Sequence, residues 1–353
     1  MKAAVVQGKG RLAIEELPVP EPPPGTVRLR VLYCSICGSD VERLYSPAWD
    51  EFPERMQAMV AGSILGHEWV GRVDKLGEGV TGLAVGDRTV DIHTPCGQCY
   101  YCRRGLGELC LGGRARGHPY DGVGMAGPGR WGAFAEYVIR PAGRLLKVPE
   151  GIDDRQAAMT EPLATGVAAV HHAGLRPGDS ACIIGVGHIG LSVLAAARAA
   201  GAAPLIAVDK NNARLEVARE MGANLTLDPD ETDVVRAVVD ATEAGPDVVI
   251  PCVSQQVPGI LEQAFEMVRR DGQVILIGPP APAALNTGRW LVKEVSVKGV
   301  VHMGEKMFPA LKLIEHGRVN IEPMLTATVP LAEVQRGFEA LRDGREIAVL
   351  VQP

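Results

Sequence analysis

The chain has 353 residues, too many for one small hydrophobic core, so we expect two domains. Hydrophobic residues make up 46% of it, and its net charge of -6 without a strongly basic block excludes an electrostatic surface for nucleic acid. No run of about 18 apolar residues and no signal-peptide pattern appears, so we expect a cytoplasmic protein that does not enter a membrane.

Residues 1–150 predict a β-rich domain. Three short apolar segments, AAVV, LAIEEL and VRLRVLYC, are separated by glycines and by the proline-rich link PVPEPPPG. No long amphipathic helix is evident there, which is typical of an all-β, barrel-like unit.

Cys37, His67 and Glu68 form the first candidate site in this region. A thiolate, an imidazole and a carboxylate from separate segments can hold zinc while leaving one coordination position open. An alcohol oxygen or a water molecule at that position loses its proton more easily. The trio therefore predicts an enzyme with metal-assisted proton chemistry.

A second candidate metal site is a short glycine-rich segment with four cysteines, Cys96, Cys99, Cys102 and Cys110. In a reducing compartment, clustered thiols bind metal more often than they form disulfides. Four thiolates without a histidine or carboxylate suit a closed, structural zinc site. An iron–sulfur cluster is the alternative, but the spacing to the last cysteine and the lack of a proline after it favour zinc.

Residues 151–294 alternate between strands and helices. ACIIG, PLIAVD and DVVIPC have the apolar pattern of buried strands, and HIGLSVLAAARAAG and NARLEVAREMG that of helices. This alternation predicts an α/β fold with a doubly wound parallel sheet. From residue 295 to residue 353 the pattern is mixed again, so we expect the parallel-sheet domain to be inserted into the β-rich domain.

A glycine loop follows the first strand of that parallel sheet and opens a helix; its residues are Gly185, Val186, Gly187, His188, Ile189 and Gly190. Glycines there let the backbone turn tightly and approach a pyrophosphate at the helix N-terminus. Asp209 ends the next strand, where a carboxylate accepts hydrogen bonds from ribose hydroxyls and repels a 2′-phosphate. The loop and Asp209 predict NAD in preference to NADP. The positive charges of Lys210 and Arg214 argue in the opposite direction, because they can attract a 2′-phosphate.

Gly66-His67-Glu68-x2-Gly71-x5-Gly77-x2-Val80, with Cys37 upstream and Gly86-Asp87-Arg88 downstream, resembles the zinc-containing medium-chain dehydrogenase/reductase family. The resemblance covers essentially the whole chain and is greatest to the alcohol and polyol branch, which includes sorbitol, butanediol and threonine dehydrogenases. It implies a GroES-like catalytic domain at 1–150 and 295–353, with a Rossmann domain at 151–294.

The resemblance also implies roles for individual residues. Cys37 and His67 match two catalytic zinc ligands, and Glu68 matches the carboxylate beside them. Glu161, in the segment TEPLATG, matches a glutamate that binds the metal directly or through its water. Asp40 matches a carboxylate that orients the histidine ligand.

Three further positions are implied to serve substrate and cofactor. Ser39 matches the hydroxyl that passes the substrate proton outward, and Thr165 matches a residue packed against the nicotinamide. Glu42 stands where many relatives have the histidine at the outer end of the proton relay. A carboxylate there can accept a proton; the alternative is a surface glutamate with protons leaving through water.

Together these features predict oxidation of a secondary alcohol (a polyol, sugar alcohol or diol) to a ketone, with NAD and two zinc ions per chain. His93 and Trp49 are candidates for the substrate pocket and favour a second substrate, a threonine-like β-hydroxy amino acid. A third hypothesis belongs to another functional class, namely a non-catalytic sensor that binds NAD. The resemblance implies a homodimer or homotetramer.

Overall fold

The computed structural model describes residues 1–45, 61–92, 95–110, 132–253, 257–278, 281–300 and 304–353. Trp49 and His93, the predicted pocket residues, lie outside these ranges. The chain divides into two compact units: Met1–Glu161 with Leu325–Pro353, and Pro162–Met324. Within the described ranges, no helix has the length and apolar character needed to cross a membrane.

The secondary-structure elements are numbered here in chain order. The strands are β1 Lys2–Gly8, β2 Arg11–Glu16, β3 Thr26–Ser35, β4 Glu68–Leu76, β5 Arg88–Asp91, β6 Tyr137–Pro141, β7 Leu145–Lys147, β8 Ala181–Ile184, β9 Leu205–Val208, β10 Leu225–Leu227, β11 Val248–Pro251, β12 Gln273–Leu276, β13 Ser296–Gly299, β14 Leu325–Pro330 and β15 Ala348–Gln352. The helices are α1 Gly38–Tyr45, α2 Asp154–Ala158, α3 Thr160–Ala173, α4 His188–Ala199, α5 Asn212–Glu220, α6 Val234–Ala241, α7 Ile260–Met267, α8 Thr287–Lys293, α9 Met307–Glu315 and α10 Val334–Arg342.

The first unit is built on β-strands, as its sequence predicts. Its main sheet runs β14-β15-β3-β4-β5-β7, with β6 also paired to β3, and β1 pairs separately with β2. The long strand β3 therefore organises the unit, since it bonds to β4, β6 and β15. The core contains Phe134 and Phe338, whose rings meet edge to face at 5.6 Å.

The second unit contains a six-stranded sheet in the order β10-β9-β8-β11-β12-β13. All of its strand pairs are parallel. Every residue of β8, β9 and β11 is buried, as expected for central strands covered on both faces. This is the doubly wound parallel sheet that the strand–helix alternation predicts, and the α/β fold class is confirmed.

The observed limits of the second unit differ from the predicted range of 151–294. Strand β13, beyond that range, pairs in parallel with β12 and completes the sheet. Helix α9 also belongs to this unit, which ends at Met324. The sequence of β13, SVKG, is short and mostly exposed, so it lacks the apolar pattern that marks the other strands.

Capping side chains set where several helices of the second unit begin. Asn211, Asp233 and Asn286 each accept a hydrogen bond from the backbone N–H three residues later, at 3.1 to 3.3 Å. Such caps satisfy a donor that has no partner inside the helix. They fix the first residues of α5, α6 and α8.

Asp247 joins two segments of the second unit. Its carboxylate accepts hydrogen bonds from Ser180 N–H at 2.7 Å and Oγ–H at 2.6 Å, and from Arg269 Nε at 2.8 Å. Burial raises the pKa of Asp247, but the hydrogen bonds from Ser180 and the Arg269 charge outweigh it, and the pKa lies below its ordinary value of 3.8. The ionised carboxylate therefore stabilises the folded state.

Asp247→Asn is expected to lower the free energy of unfolding by about 1–3 kcal/mol at neutral pH. Because the folded-state pKa is depressed, the wild-type stabilisation is complete above pH 3.8 and is lost as the pH falls through the folded value. Urea denaturation at neutral pH and below pH 3.8 tests this, with Asp240→Asn, in an exposed ion pair, as control. An equal deficit at both pH values would contradict the account.

Candidate metal and dinucleotide sites

The first candidate site lies where β3 ends and α1 begins. Asp40 Oδ2 accepts a hydrogen bond from the Cys37 backbone N–H at 3.2 Å, and Asp40 Oδ1 lies 3.6 Å from His67 Nδ1. Only 4% of Asp40 is exposed. One buried carboxylate therefore fixes the Cys37 turn and faces the imidazole, which leaves Nε2 of His67 available to a metal.

Gly66 makes the backbone turn that places His67 beside Asp40. Its φ of +97° lies in the left-handed region, which favours glycine, and a Cβ there would lie 2.8 Å from Cys34 Sγ. The backbone turns at Gly66 and enters β4 two residues later, at Glu68, which is 0% exposed. A larger residue at 66 would displace the histidine.

The predicted ligands converge in the first unit. One ligand atom each from His67, Glu68 and Glu161 lie within 4.8 Å of one another, and Cys37 Sγ lies within 4.8 Å of a Glu68 carboxylate oxygen. Glu68 is common to both groupings. A thiol, an imidazole and two carboxylates at this spacing form a donor set that suits zinc.

The electrostatics of this cluster favour positive charge. Burial lowers the pKa of His67, but the Asp40 carboxylate and Cys37 raise it more, so the pKa lies well above its ordinary value of 6.5. The surroundings thus favour a positive charge at the imidazole. A zinc ion at this imidazole would experience the same negative environment from Asp40 and Cys37, so the residues present fit zinc.

A buried ionic network supports the start of β4. Arg140 donates to Asp91 at 2.8 Å, Arg144 donates to the same carboxylate at 3.1 Å, and the Arg140 guanidinium lies 5.3 Å from the centre of the Trp69 ring. Trp69 follows Glu68 directly. The network therefore holds the strand segment that carries the Glu68 side chain.

Ser39 and Glu42 lie three residues apart on α1 and are both half-buried. Residues at this spacing are neighbours on a helix surface. Burial raises the pKa of Glu42 above that of an exposed glutamate, which makes it a better proton acceptor. The sequence did not predict α1 itself, because eight residues are too few to show a helical period.

The segment from Cys96 to Cys110 forms a small lobe, in which the four cysteines approach one another closely. Their Sγ atoms all lie within 4.8 Å of one another, and three of the distances are 3.5 Å for Cys99–Cys102, 3.9 Å for Cys99–Cys110 and 4.0 Å for Cys96–Cys102. Four thiolates at about 2.3 Å from one tetrahedral zinc are about 3.8 Å apart. The observed spacings therefore fit a single metal ion.

Backbone N–H groups in the lobe also donate hydrogen bonds that stabilise thiolates. The N–H of Cys96 donates to Cys110 Sγ at 3.1 Å, and the N–H of Gln98 donates to Cys96 Sγ at 3.5 Å. Hydrogen bonds from the Gln98 and Cys99 backbone lower the pKa of Cys96, whereas burial and the neighbouring thiols raise the pKa of Cys102 to about 12. A divalent cation would remove this conflict between neighbouring sulfurs.

The glycine loop joins β8 to α4 in the second unit. Gly187 is the N-terminal cap of α4, followed by His188, which is buried, and Ile189. A Cβ on Gly190 would lie 1.9 Å from the Gly185 carbonyl oxygen, so the helix approaches the loop as closely as backbones allow. A backbone turn of this kind at a helix N-terminus suits a pyrophosphate.

Asp209 follows β9 and is held beside the loop. Its Oδ2 accepts from Val186 N–H at 2.8 Å, and its Oδ1 accepts from Asn211 N–H at 2.9 Å. Arg214 Nη1 lies 3.8 Å from Asp209 Oδ2 and 3.9 Å from the position that a Cβ on Gly187 would take. The second unit thus places one carboxylate and one guanidinium at the glycine loop. Thr165 is buried in α3.

One polar residue near the metal cluster was not predicted. Ser35 is the last residue of β3, and its register partner in β4 is Glu68. Its hydroxyl is buried and makes no hydrogen bond within the described ranges. A single serine at the end of an apolar strand carries no sequence signal of its own.

Comparison with known proteins identifies both units. Residues 23–150 match the family described as alcohol dehydrogenase GroES-like domain, and residues 188–316 match the family described as zinc-binding dehydrogenase. The chain is 33% identical over 362 residues to sorbitol dehydrogenase from Halalkalibacterium halodurans, covering 100% of this chain and 99% of that protein. It is 34% identical over 337 residues to L-threonine 3-dehydrogenase from Pyrococcus horikoshii, covering 94% and 92%.

A solved structure agrees with these relatives. The zinc-binding dehydrogenase from Sinorhizobium meliloti 1021 bound to NADP superimposes with a TM-score of 0.87 at 29% identity, covering 100% of this chain and 99% of that one. The predicted family is confirmed by sequence and fold together. The chain belongs to the zinc-binding alcohol dehydrogenases with a GroES-like domain, NAD(P)-dependent oxidoreductases that act on CH–OH groups.

Proposed function

We propose that the protein oxidises a secondary alcohol group of a polyol, sugar alcohol or diol to a ketone and passes the hydride to NAD. The observation that carries this proposal is the convergence of Cys37, His67, Glu68 and Glu161 in the first unit. The 33% identity to a sorbitol dehydrogenase supports the substrate class.

In this proposal Cys37, His67 and one of the two glutamates hold a zinc ion. Zinc held there would lower the pKa of an alcohol and would stabilise the negative charge that develops on its oxygen. Asp40 keeps His67 in the orientation and tautomer that binding requires, since it faces Nδ1 at 3.6 Å. Because Glu68 and Glu161 both lie at the cluster, one of these carboxylates can bind the metal while the other contacts water.

Ser39 is proposed to accept the proton from the substrate hydroxyl and to pass it outward along α1. Glu42 is proposed as the next acceptor, three residues further along the same helix. Burial raises the pKa of Glu42, which brings this carboxylate closer to the range in which it can exchange protons near neutral pH.

The glycine loop is proposed to bind the dinucleotide, with its pyrophosphate at the N-terminus of α4 and Asp209 on the adenosine ribose. Asp209 is held by two backbone N–H groups, so its charge faces a fixed direction. A fixed carboxylate favours ribose hydroxyls over a 2′-phosphate. Arg214, at 3.8 Å, weakens this preference without reversing it.

Turnover with NAD is expected to exceed turnover with NADP at equal concentration. Asp209→Ser removes the charge that repels a 2′-phosphate and is expected to raise the NADP-to-NAD ratio of kcat/KM about tenfold, the equivalent of ~1.4 kcal/mol. Asp228→Asn, at the end of the next strand, is the control and leaves the ratio unchanged. A wild-type preference for NADP would contradict the assignment.

The four lobe cysteines are proposed to hold a second, structural zinc ion. The lobe is a short glycine-rich segment, and its large apolar side chains Tyr100, Leu106 and Leu109 are exposed rather than packed in a core. Metal binding would supply the ordering that burial does not.

The chain is also proposed to form a homodimer or homotetramer. Strand β13 is an edge of the parallel sheet, and Leu291 and Val292, in the helix just before it, are 77% and 65% exposed. Among the described residues the outer edge of β13 has no strand partner, and such an edge, together with exposed apolar side chains, is a surface that a second subunit can cover.

A panel of substrates tests the proposed function. Polyols, sugar alcohols, vicinal diols and β-hydroxy amino acids are each supplied with NAD, and the formation of NADH is followed by absorbance. We expect the highest kcat/KM among the polyols and diols. L-threonine is the second candidate, favoured by the 34% identity to a threonine dehydrogenase, and a clear preference for it would overturn the polyol assignment.

A further inference from the structure

Ser35 carries an observation that the proposed function leaves unexplained. It is the last residue of β3, 0% exposed, and its hydroxyl has no hydrogen-bond partner in the part of the chain that the structure describes. A buried hydroxyl without a partner costs folding stability, whereas an apolar side chain of similar size does not. Because the Ser35 hydroxyl lies next to the candidate metal ligands, its presence there suggests a functional role.

The sheet register places this hydroxyl opposite the metal cluster. Ser35 pairs with Glu68 across β3 and β4, which run antiparallel. Directly opposed residues project their side chains on the same face, with Cβ atoms about 4.5–5.5 Å apart. Glu68 is itself 0% exposed, and its carboxylate lies within 4.8 Å of Cys37 and of the His67–Glu161 group.

We propose that Ser35 is a positioning residue of the metal site, whose hydroxyl donates a hydrogen bond to the Glu68 carboxylate when a divalent cation is bound. The proposal rests on the proposed function, in which this cluster holds zinc. A carboxylate that binds a metal through one oxygen leaves the other oxygen to be oriented by a donor. Asp40 is already engaged, because its carboxylate accepts from the Cys37 N–H and faces His67.

The hydrogen bond has a consequence for which glutamate binds the metal. Glu68 and Glu161 both lie within reach of His67. Glu68 is the register partner of Ser35, so a donor at Ser35 is placed to act on Glu68. Under this proposal Ser35 favours Glu68 over Glu161 as the ligand.

Ser35→Ala and Thr89→Val form a matched pair for the test. Thr89 lies in β5 of the same sheet, is also 0% exposed, and has a hydroxyl that likewise lacks a partner among the described residues. Its register partners are Gly71 and Lys147 rather than a cluster residue. Each variant removes one unsatisfied buried hydroxyl, but only Ser35→Ala removes one opposite Glu68.

The readouts are metal binding and spectroscopy rather than turnover. The affinity of the Cys37 site for zinc is measured by competition with a chromophoric chelator while the lobe keeps its zinc, and the visible spectrum is recorded after cobalt replaces zinc there. Ser35→Ala is expected to weaken metal binding about 10–100-fold and to shift the cobalt bands. Thr89→Val is expected to match the wild type in both.

Thermal unfolding of the same proteins separates positioning from a structural role. With zinc at the lobe and the Cys37 site free of metal, both variants are expected to melt at or above the wild-type temperature, since each loses a buried hydroxyl that lacks a partner in that form. Wild-type metal affinity and an unshifted cobalt spectrum in Ser35→Ala would overturn the proposal while leaving the proposed function intact. A lower melting temperature of Ser35→Ala with the Cys37 site free of metal, in parallel with weaker binding, would also overturn it. A wild-type protein that takes up metal only at the lobe would refute the proposed function itself.

Discussion

Replacing Cys37 by serine is expected to lower turnover by about 10³-fold or more while the fold and the lobe zinc are retained. A thiolate is a far stronger zinc ligand than a serine hydroxyl, which stays protonated at neutral pH. Without the metal, the positive charge that stabilises a developing alkoxide is lost, and that stabilisation amounts to several kcal/mol. The other donors would remain in place but would not hold the metal tightly without the thiolate; they are His67, Glu68 and Glu161.

The measurement combines metal analysis with steady-state kinetics on the best substrate of the panel. Cys37→Ser is expected to contain one zinc ion fewer per chain than the wild type and to keep its circular dichroism spectrum. Binding of NAD, followed by fluorescence, is expected to persist, because the glycine loop belongs to the second unit. Wild-type turnover in a variant that has lost this zinc would refute the role assigned to the cluster.

Replacing Cys99 by serine is expected to produce the reverse pattern, with the lobe zinc lost and the Cys37 site still loaded. Cys99 Sγ lies 3.5 Å from Cys102 Sγ and 3.9 Å from Cys110 Sγ, which are two of the three edges that it would form in the proposed tetrahedron. A lobe with three thiolates binds zinc much more weakly, and the ordering that the metal supplies is lost with it.

The consequences of Cys99→Ser can be measured separately from catalysis. The remaining lobe thiols are expected to react faster with a thiol reagent, and the melting temperature is expected to fall by several degrees. Cys252→Ala is the control for metal content, since burial raises the pKa of this thiol to about 12 and it lies outside both clusters. Full zinc content in Cys99→Ser would show that these cysteines are not the ligands of the second metal.

The second unit was predictable because its signals are local. Each central strand is an apolar run with glycine or aspartate at or near one end, and a helix-forming segment follows it, so the order of elements implies a parallel sheet. The glycine spacing between Gly185 and Gly190 reflects a steric requirement of a single turn. Strand β13 lacked such a signal, because its exposed residues are placed by pairing with β12 and not by their own pattern.

The metal cluster was predictable in composition but not in its supports. Cys37, His67 and Glu68 are chemically distinctive residues in a distinctive spacing, and Asp40 and Glu161 follow from the family resemblance. Ser35, by contrast, gains its position only from the pairing of β3 with β4, which brings together residues far apart in the chain. The same holds for Arg140, whose contacts with Asp91 and Trp69 join three strands. Trp49 and His93 remain predictions, since both lie outside the described residues.

The central claim is that alcohol oxidation by this chain requires a metal at the Cys37–His67–Glu68 cluster. The most direct test removes that metal with a chelator under conditions that spare the lobe zinc, assays NAD reduction with the preferred substrate, and then adds zinc back. The account predicts that activity disappears with the loss of one zinc ion per chain and returns in proportion to the zinc restored. Undiminished NAD reduction by protein from which that ion has been removed would contradict it.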